Sequence, residues 1–194
     1  MTRGVDQLPH IHYTNKGYNG WTAVRSAQEI DKLGLVKADV YSVFLGTNDW
    51  WGGKTLGHFT DYQTSTGNTT VYGSFRFIID KLRSLNPSAR IILITPMQRA
   101  DFVYLTNFKN NAYGSYKAKN GQSLESFALA VDSIGRFEQF QVVDLYHTNG
   151  LKVKKLVKYK RVKDPKKGQD QNQKNQAFNH APFHPPTTQN PPKP

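Results

Sequence analysis

The sequence predicts an α/β fold, a flavodoxin-like three-layer sandwich around a mostly parallel sheet. Three observations lead there. Apolar runs of strand length stand at 40–45, 90–95 and 141–145. Segments of helical period stand between them, and Gly, Asn or Pro marks most of the junctions. Strand–helix alternation calls for right-handed crossovers and therefore for parallel pairing.

Residues 10–13 allow a short strand, and the stretch from Asn15 to Thr22 is a glycine turn before a helix expected over 23–33, with Thr22 as its cap. The strand 40–45 empties into Gly46-Thr47-Asn48-Asp49, and residues 50–68, rich in Gly, Thr and Ser, read as a long loop. Helix is expected over 71–85, where Phe75, Ile78, Ile79 and Leu82 recur at helical spacing, and Asn86-Pro87 ends it. Arg90-Ile91-Ile92-Leu93-Ile94-Thr95 reads as a buried parallel strand stopped by Pro96. A polar loop over 97–121 leads to a helix over 122–137. Ser123 is its cap, and Leu124, Phe127, Ala128, Val131 and Ile134 form its apolar face. The last strand is 141–145.

In open parallel sheets ligands bind at the carboxyl ends of the strands, so the exit Gly46-Thr47-Asn48-Asp49 is the first candidate site. A glycine permits the tight turn, and a carboxamide offers N–H donors to a reacting centre. An Asx-type turn in any protein uses the same residues. Read with Asn15-Lys16-Gly17-Tyr18-Asn19-Gly20-Trp21-Thr22, the segment resembles the second and third sequence blocks of the SGNH, or GDSL-type, ester hydrolases, in the family's order and spacing. Residues 11–150 can be laid on that family. The resemblance is strongest to bacterial secreted esterase-like proteins with Gly-Thr-Asn-Asp-Trp-Trp.

The resemblance implies that Gly20 lends a backbone N–H and Asn48 a side-chain N–H to an oxyanion hole. Preorganised donors of that kind are worth about 3 kcal/mol each to acyl transfer. Gly46 and Asp49 would support the turn. Trp50, Trp51 and Arg99 would meet substrate, although the tryptophans serve equally well to pin the following loop to the body. The family's nucleophile block, Gly-Asp-Ser, does not occur, and no serine precedes Gly20. The family's acid and base arrive as Asp-x-x-His, usually before Pro. Asp144-Leu145-Tyr146-His147 has that spacing, but it follows the last strand directly and Thr148 stands in place of Pro. The chain is therefore expected to be an internal piece of a larger hydrolase, lacking the nucleophile strand of its sheet and inert alone. Without that strand, either residues 10–13 pair with 40–45 or the sheet has three strands and an exposed parallel edge prone to aggregation.

The expected substrate is an esterified, first of all acetylated, carbohydrate, with lipid or simple esters second. The alternative is a noncatalytic protein using the crevice and a basic tail to contact glycans or polyanions. Residues 1–150 carry 15 Lys and Arg against 12 Asp and Glu, whereas 151–194 carry 11 against 2, so most of the net +12 lies in that tail. Leu151, Val153, Leu156 and Val157 could anchor a short element there. Beyond Asp164-Pro165 the Pro, Gln and Asn-rich composition reads as extended or disordered chain. A solvated Lys-rich connector is the simpler reading, and no specific nucleic-acid partner is expected. No metal or cofactor is expected either. Cysteine is absent, which leaves the compartment open, and the chain shows no cleavable signal and no membrane-length apolar run. The resemblance implies export, secreted or periplasmic, for the parent.

Overall fold

The computed structural model describes residues 11–99, 102–104, 107–112, 114–115 and 120–148. The tail 151–194 and His10 lie outside the described residues, as do the expectations placed on them. Three parallel strands, β1 (Val40–Phe44), β2 (Arg90–Ile94) and β5 (Gln141–Val143), form a sheet in the order β1-β2-β5. The register pairs Val43 with Leu93 and Phe44 with Ile94, and then Ile94 with Val143. Helix α1 (Ala23–Gln28) precedes β1, and the two crossovers supply α4 (Val71–Leu85) and α5 (Leu124–Glu138).

Alternation along the strands decides where the core sits. Val43, Ile91 and Leu93 are buried in one cluster with Val24 of α1, Phe75, Ile79 and Leu82 of α4, and Phe127, Val131 and Ile134 of α5. α5 lies so close to this face that a Cβ on Gly135 would overlap Val142 Cγ2. The intervening residues point the other way. Val40, Ser42 and Phe44 on β1, and Gln141 and Val143 on β5, are exposed. The described residues thus build the sheet and the helical layer on one of its faces, and leave the other face open.

The longer elements match their sequence signals. α4 spans residues 71–85 as expected, capped by the Thr70 hydroxyl, which accepts from Gly73 N at 3.2 Å. Ser123 caps α5 by accepting from Ser126 N at 3.1 Å. Thr22 caps α1 by accepting from Arg25 N at 2.9 Å.

Four boundaries or loops differ from expectation. The helix expected over 23–33 breaks at Glu29 into α1 and a 3-10 turn, Ile30–Leu33, closed by left-handed Gly34. The loop expected over 50–68 overlaps the end of α2 (Thr47–Trp51) and holds α3 (Phe59–Gln63). Neither reaches two turns, so neither has a readable period. They owe their stability to burial of Trp50 and Tyr62, both 0% exposed. The loop expected over 97–121 holds an antiparallel hairpin, β3 (Phe102–Tyr104) with β4 (Asn107–Ala112). The last strand stops at Val143, because Asp144 starts the short α6 (Leu145–Thr148). Ile11, His12 and Tyr13 are exposed and in no strand, so the three-stranded alternative holds and β1 is an edge among the described residues.

α3 is fastened at the far end of the helical layer. Tyr62 donates to Glu138 Oε1 at 2.6 Å, and Arg83 Nη2 to Glu138 Oε2 at 2.5 Å, which joins α3, α4 and the last turn of α5. Burial pushes the Tyr62 phenol above its ordinary range, so it stays a neutral donor.

Gly135→Ala places a methyl against a β-branched neighbour that has few rotamers to yield. It should destabilise the domain by about 1–3 kcal/mol, read as a lower urea midpoint with an unchanged slope.

Candidate active site at the carboxyl ends of β1 and β2

The turn before α1 is built locally. Asn15 Oδ1 accepts from Gly17 N at 2.8 Å, and Tyr18 O accepts from Trp21 N at 3.2 Å. Gly20 has a φ of 78°, which an L side chain rarely adopts, and a Cβ there would meet nothing within 4 Å. Its N–H donates to no acceptor among the described residues. The turn reading of this glycine and an accessible amide therefore coincide.

The exit of β1 is just as constrained. Gly46 has a φ of 110°, and a Cβ would stand 3.1 Å from Pro96 Cγ. Glycine is required on both counts. α2 starts immediately, and Gly46 O accepts from Trp50 N at 3.0 Å.

Two side chains of α2 then reach back to the first turn. Asp49, wholly buried, accepts from Ala23 N at 2.8 Å with Oδ2 and from Val24 N at 3.2 Å with Oδ1. Burial raises its carboxyl above the ordinary value, and the two α1 amides oppose the rise. Asp49 thus supports the site by fastening α2 to α1. Asn48 Nδ2 donates to Trp21 O at 2.9 Å. A carboxamide nitrogen has two N–H groups, and the second has no acceptor among the described residues. Asn48 is thereby oriented by the carbonyl of the residue that follows Gly20.

Asn48 opens into a crevice of about 370 Å³, lined also by Trp21, Phe44, Leu45, Met97 and Arg99. Arg99 stands 5.8 Å from the Trp50 ring and 5.2 Å from the Trp51 ring. Trp50 is in the core and offers no surface to a ligand in this arrangement, and Trp51 is half-buried against it. Trp21 holds the wall position instead. Tyr18 stacks on its ring at 4.5 Å and Arg25 stands over it at 4.6 Å. The wall residues Trp21, Phe44 and Met97 were not singled out from sequence. The usable signals were position: Trp21 adjoins Gly20, and Phe44 and Met97 lie at strand exits.

Asp144 and His147 come together, but outside the crevice lining. His147 Nδ1 lies 2.8 Å from Asp144 Oδ2, while Oδ1 of that carboxylate accepts from Tyr146 N, His147 N and the Thr95 hydroxyl. The other ring nitrogen, Nε2, which a general base would present to a serine, lies 3.4 Å from Glu125 Oε1. β2 separates β5 from β1, so the exits carrying His147 and Asn48 are about 10 Å apart at ~4.8 Å per strand. Burial alone would raise the Asp144 carboxyl, but the His147 and Thr95 bonds outweigh it and hold it below its usual value. The Asp144 bond raises His147, with Glu125 adding to the effect. In this arrangement His147 stands between two carboxylates, with Asp144 on Nδ1 and Glu125 on Nε2. Among the described residues, no group of three or more His, Cys, Asp or Glu could hold a metal ion. No helix among them is long and apolar enough to cross a membrane.

The GDSL-like Lipase/Acylhydrolase family model matches residues 2–185. The crystal structure of a possible lipase from Chitinophaga pinensis DSM 2588 is 57% identical, with a TM-score of 0.75 over 93% of this chain and 70% of that one. A second crystal structure is 24% identical over 66% of this chain and 52% of that one, with a TM-score of 0.52, and bears on the fold alone. No curated protein matches.

Asp49→Ala strands two buried amides of α1 and should cost about 2–4 kcal/mol in urea unfolding. His147→Gln removes a group whose folded pKa is raised. The wild-type advantage should be full below about pH 6.5, the unfolded value, and vanish as pH rises through the folded value. Melting curves of both proteins from pH 5 to 9 would show the gap closing on the alkaline side.

Proposed function

This chain belongs to the GDSL-like lipase/acylhydrolase family, and from that premise we propose that it carries the oxyanion-stabilising half of a serine ester hydrolase site. One observation carries the reading: the Asn48 carboxamide, which lines the crevice, is tied through one N–H to the carbonyl of Trp21, the residue after Gly20, and the Gly20 amide has no acceptor among the described residues. An ester carbonyl seated there directs its oxygen at both donors. When a nucleophile adds to the carbonyl carbon, the negative charge forms on that oxygen, and fixed donors stabilise the charged state more than the neutral ester. In a chain that also holds the Gly-Asp-Ser block, Asn48→Ala should lower kcat by about 100- to 1,000-fold.

The nucleophile is the missing part. Gly20 has no serine before it, and His147 faces Glu125. Oxyanion donors polarise the carbonyl but do not form the acyl bond, so the 194-residue chain is inert or very weak alone.

The wall chemistry favours an ester with an apolar acyl group over an acetylated sugar. Phe44 and Met97 expose apolar surface at the crevice, 50% and 41% respectively. Trp50 is buried, and the Trp21 ring is already in contact with Tyr18 and Arg25, so neither offers a broad platform to a sugar ring. The likeness to a possible lipase runs in the same direction.

The test has two arms. Hydrolysis of p-nitrophenyl acetate by the chain should match buffer, and a serine-reactive phosphonate should leave it unlabelled; fast turnover with labelling would sink the claim of inertness. Sequencing the flanking DNA should show an upstream Gly-Asp-Ser and a downstream Asp-x-x-His-Pro. Absence of both would leave a noncatalytic binding protein as the better account.

A further inference from the structure

We propose that the groove at the amino ends of β2 and β5 is a binding site separate from the crevice, for an acidic sugar of the hexuronate class, with Arg90 meeting its carboxylate. The groove, of about 520 Å³, lies between the turns 86–90 and 139–141, and Ser88, Arg90, Gln139, Phe140 and Gln141 are among its lining. It does not depend on the ester-hydrolase reading. Asn48 stands at the carboxyl ends of the strands, and the five residues of β2 set the two places about 16 Å apart.

The polar groups of the groove are uncommitted. Arg90 takes part in no ion pair, and the Ser88 hydroxyl and the Gln139 and Gln141 carboxamides have no partner among the described residues. No carboxylate lines the groove. Glu138, next to it in sequence, is committed to Tyr62 and Arg83. Asp39 meets Arg90 through its backbone, its carbonyl accepting from Arg90 N at 2.9 Å. One guanidinium offers a planar fork to one carboxylate, and carboxamides and a hydroxyl both donate and accept, as sugar hydroxyls do. A dianion such as phosphate would leave charge unmatched by a single cation, and a neutral sugar gains nothing from Arg90.

The walls are fixed before any ligand arrives, which limits the entropy lost on binding. Asn86 closes the first turn: its carbonyl accepts from Ala89 N at 3.1 Å, its Oδ1 accepts from Ser88 N at 3.1 Å, and its Nδ2 donates to Ala38 O at 2.9 Å. In the second turn Gln139 holds the left-handed conformation, φ 56°, that ends α5, and Phe140 N donates to Gly135 O at 2.8 Å. Glycine is the usual residue in that conformation, so a long carboxamide there comes at a conformational cost. Register completes the arrangement. Gln141 is aligned with Ile92, two residues beyond Arg90, so Arg90 and Gln141 project from the same open face of the sheet. Their Cα atoms are about 8 Å apart, from the spacing of strands and of residues along them, which puts the carboxylate and a ring hydroxyl of one sugar within reach of both side chains.

Galacturonate, galactose and acetate are the probes, titrated into the 194-residue chain and followed by amide-resolved NMR. Galacturonate should give saturable shifts at residues 88–91 and 139–141. It should bind roughly tenfold more tightly than galactose, which lacks the charge, or acetate, which lacks the hydroxyls. Arg90→Gln should weaken galacturonate roughly tenfold and bring it level with galactose, and Arg90→Lys, which keeps the charge but loses the planar fork, should fall between. Gln141→Ala should weaken galacturonate several-fold and leave acetate unchanged. Lys37→Gln removes the same charge from an exposed position outside the groove and should change nothing. Melting curves check that each variant folds; were Arg90→Gln unfolded, Arg90→Lys and Gln141→Ala carry the comparison. The proposal is overturned by any of four results: no saturable shift at tens of millimolar galacturonate, equal binding of galacturonate and galactose, equal effects of Arg90→Gln and Lys37→Gln, or shifts confined to the basic residues 151–194.

Discussion

The site depends on the buried Asp49 carboxylate and the two α1 amides that face it. A charged group at zero exposure is costly unless it is bonded, and an N-terminal helical turn presents amides that otherwise need a partner. Each solves the other's problem at 2.8 and 3.2 Å. The result is a cross-link between residues 26 and 25 positions apart, which sets α2 against α1 and brings the two glycine turns to one place. Asn48 precedes Asp49, so its carboxamide falls on the Trp21 carbonyl, which in turn follows Gly20. One buried interaction therefore places both candidate oxyanion donors.

The raised carboxyl of Asp49 shows the cost of this arrangement. Desolvation outweighs the two amides, so the cross-link does not gain by being charged; it gains by leaving no donor of α1 unsatisfied. A neutral replacement with the wrong polarity cannot do this, because the partners are fixed N–H groups that accept nothing. The same logic at the other end of the domain gives a different outcome. Glu138 has an arginine as well as a phenol to answer it, and its carboxyl is held low despite burial. Position in the fold, more than residue type, sets which carboxylate carries its charge easily.

The strands and long helices were legible because their signals are repetitive. Phe75, Ile78, Ile79 and Leu82 all fall on one stripe of α4, and the same stripe is buried. Ser123 and Thr22 were legible because a cap needs one hydroxyl at one position. α2 and α3 were not, since five residues carry no period and their stability comes from Trp50 and Tyr62 reaching the core. At the site, Asn48 and Gly20 could be read from their turns, but the wall could not. Trp50 and Trp51 had the composition expected of a wall, and the direction in which α2 leaves Gly46 sent Trp50 inward. Asp144 and His147 illustrate the limit of spacing. Three residues on one turn do bring an imidazole to a carboxylate, at 2.8 Å, yet the direction of the second nitrogen is set by Glu125, 22 positions away on α5.

The contacts that hold the two candidate oxyanion donors all lie within the described residues of the first turn, α2 and the strand exits. Gly20 is set by the turn 15–21, Asn48 by Trp21 O, and the exit of β1 by Gly46 against Pro96, just beyond the end of β2. None of these contacts crosses the open edge of β1. The crevice wall is equally self-contained, since Arg99 is held by Ser115 and the α2 tryptophans. A cavity whose polar donors, cation and apolar lining are all fixed from one side of the sheet keeps its recognition chemistry whatever occupies the other side.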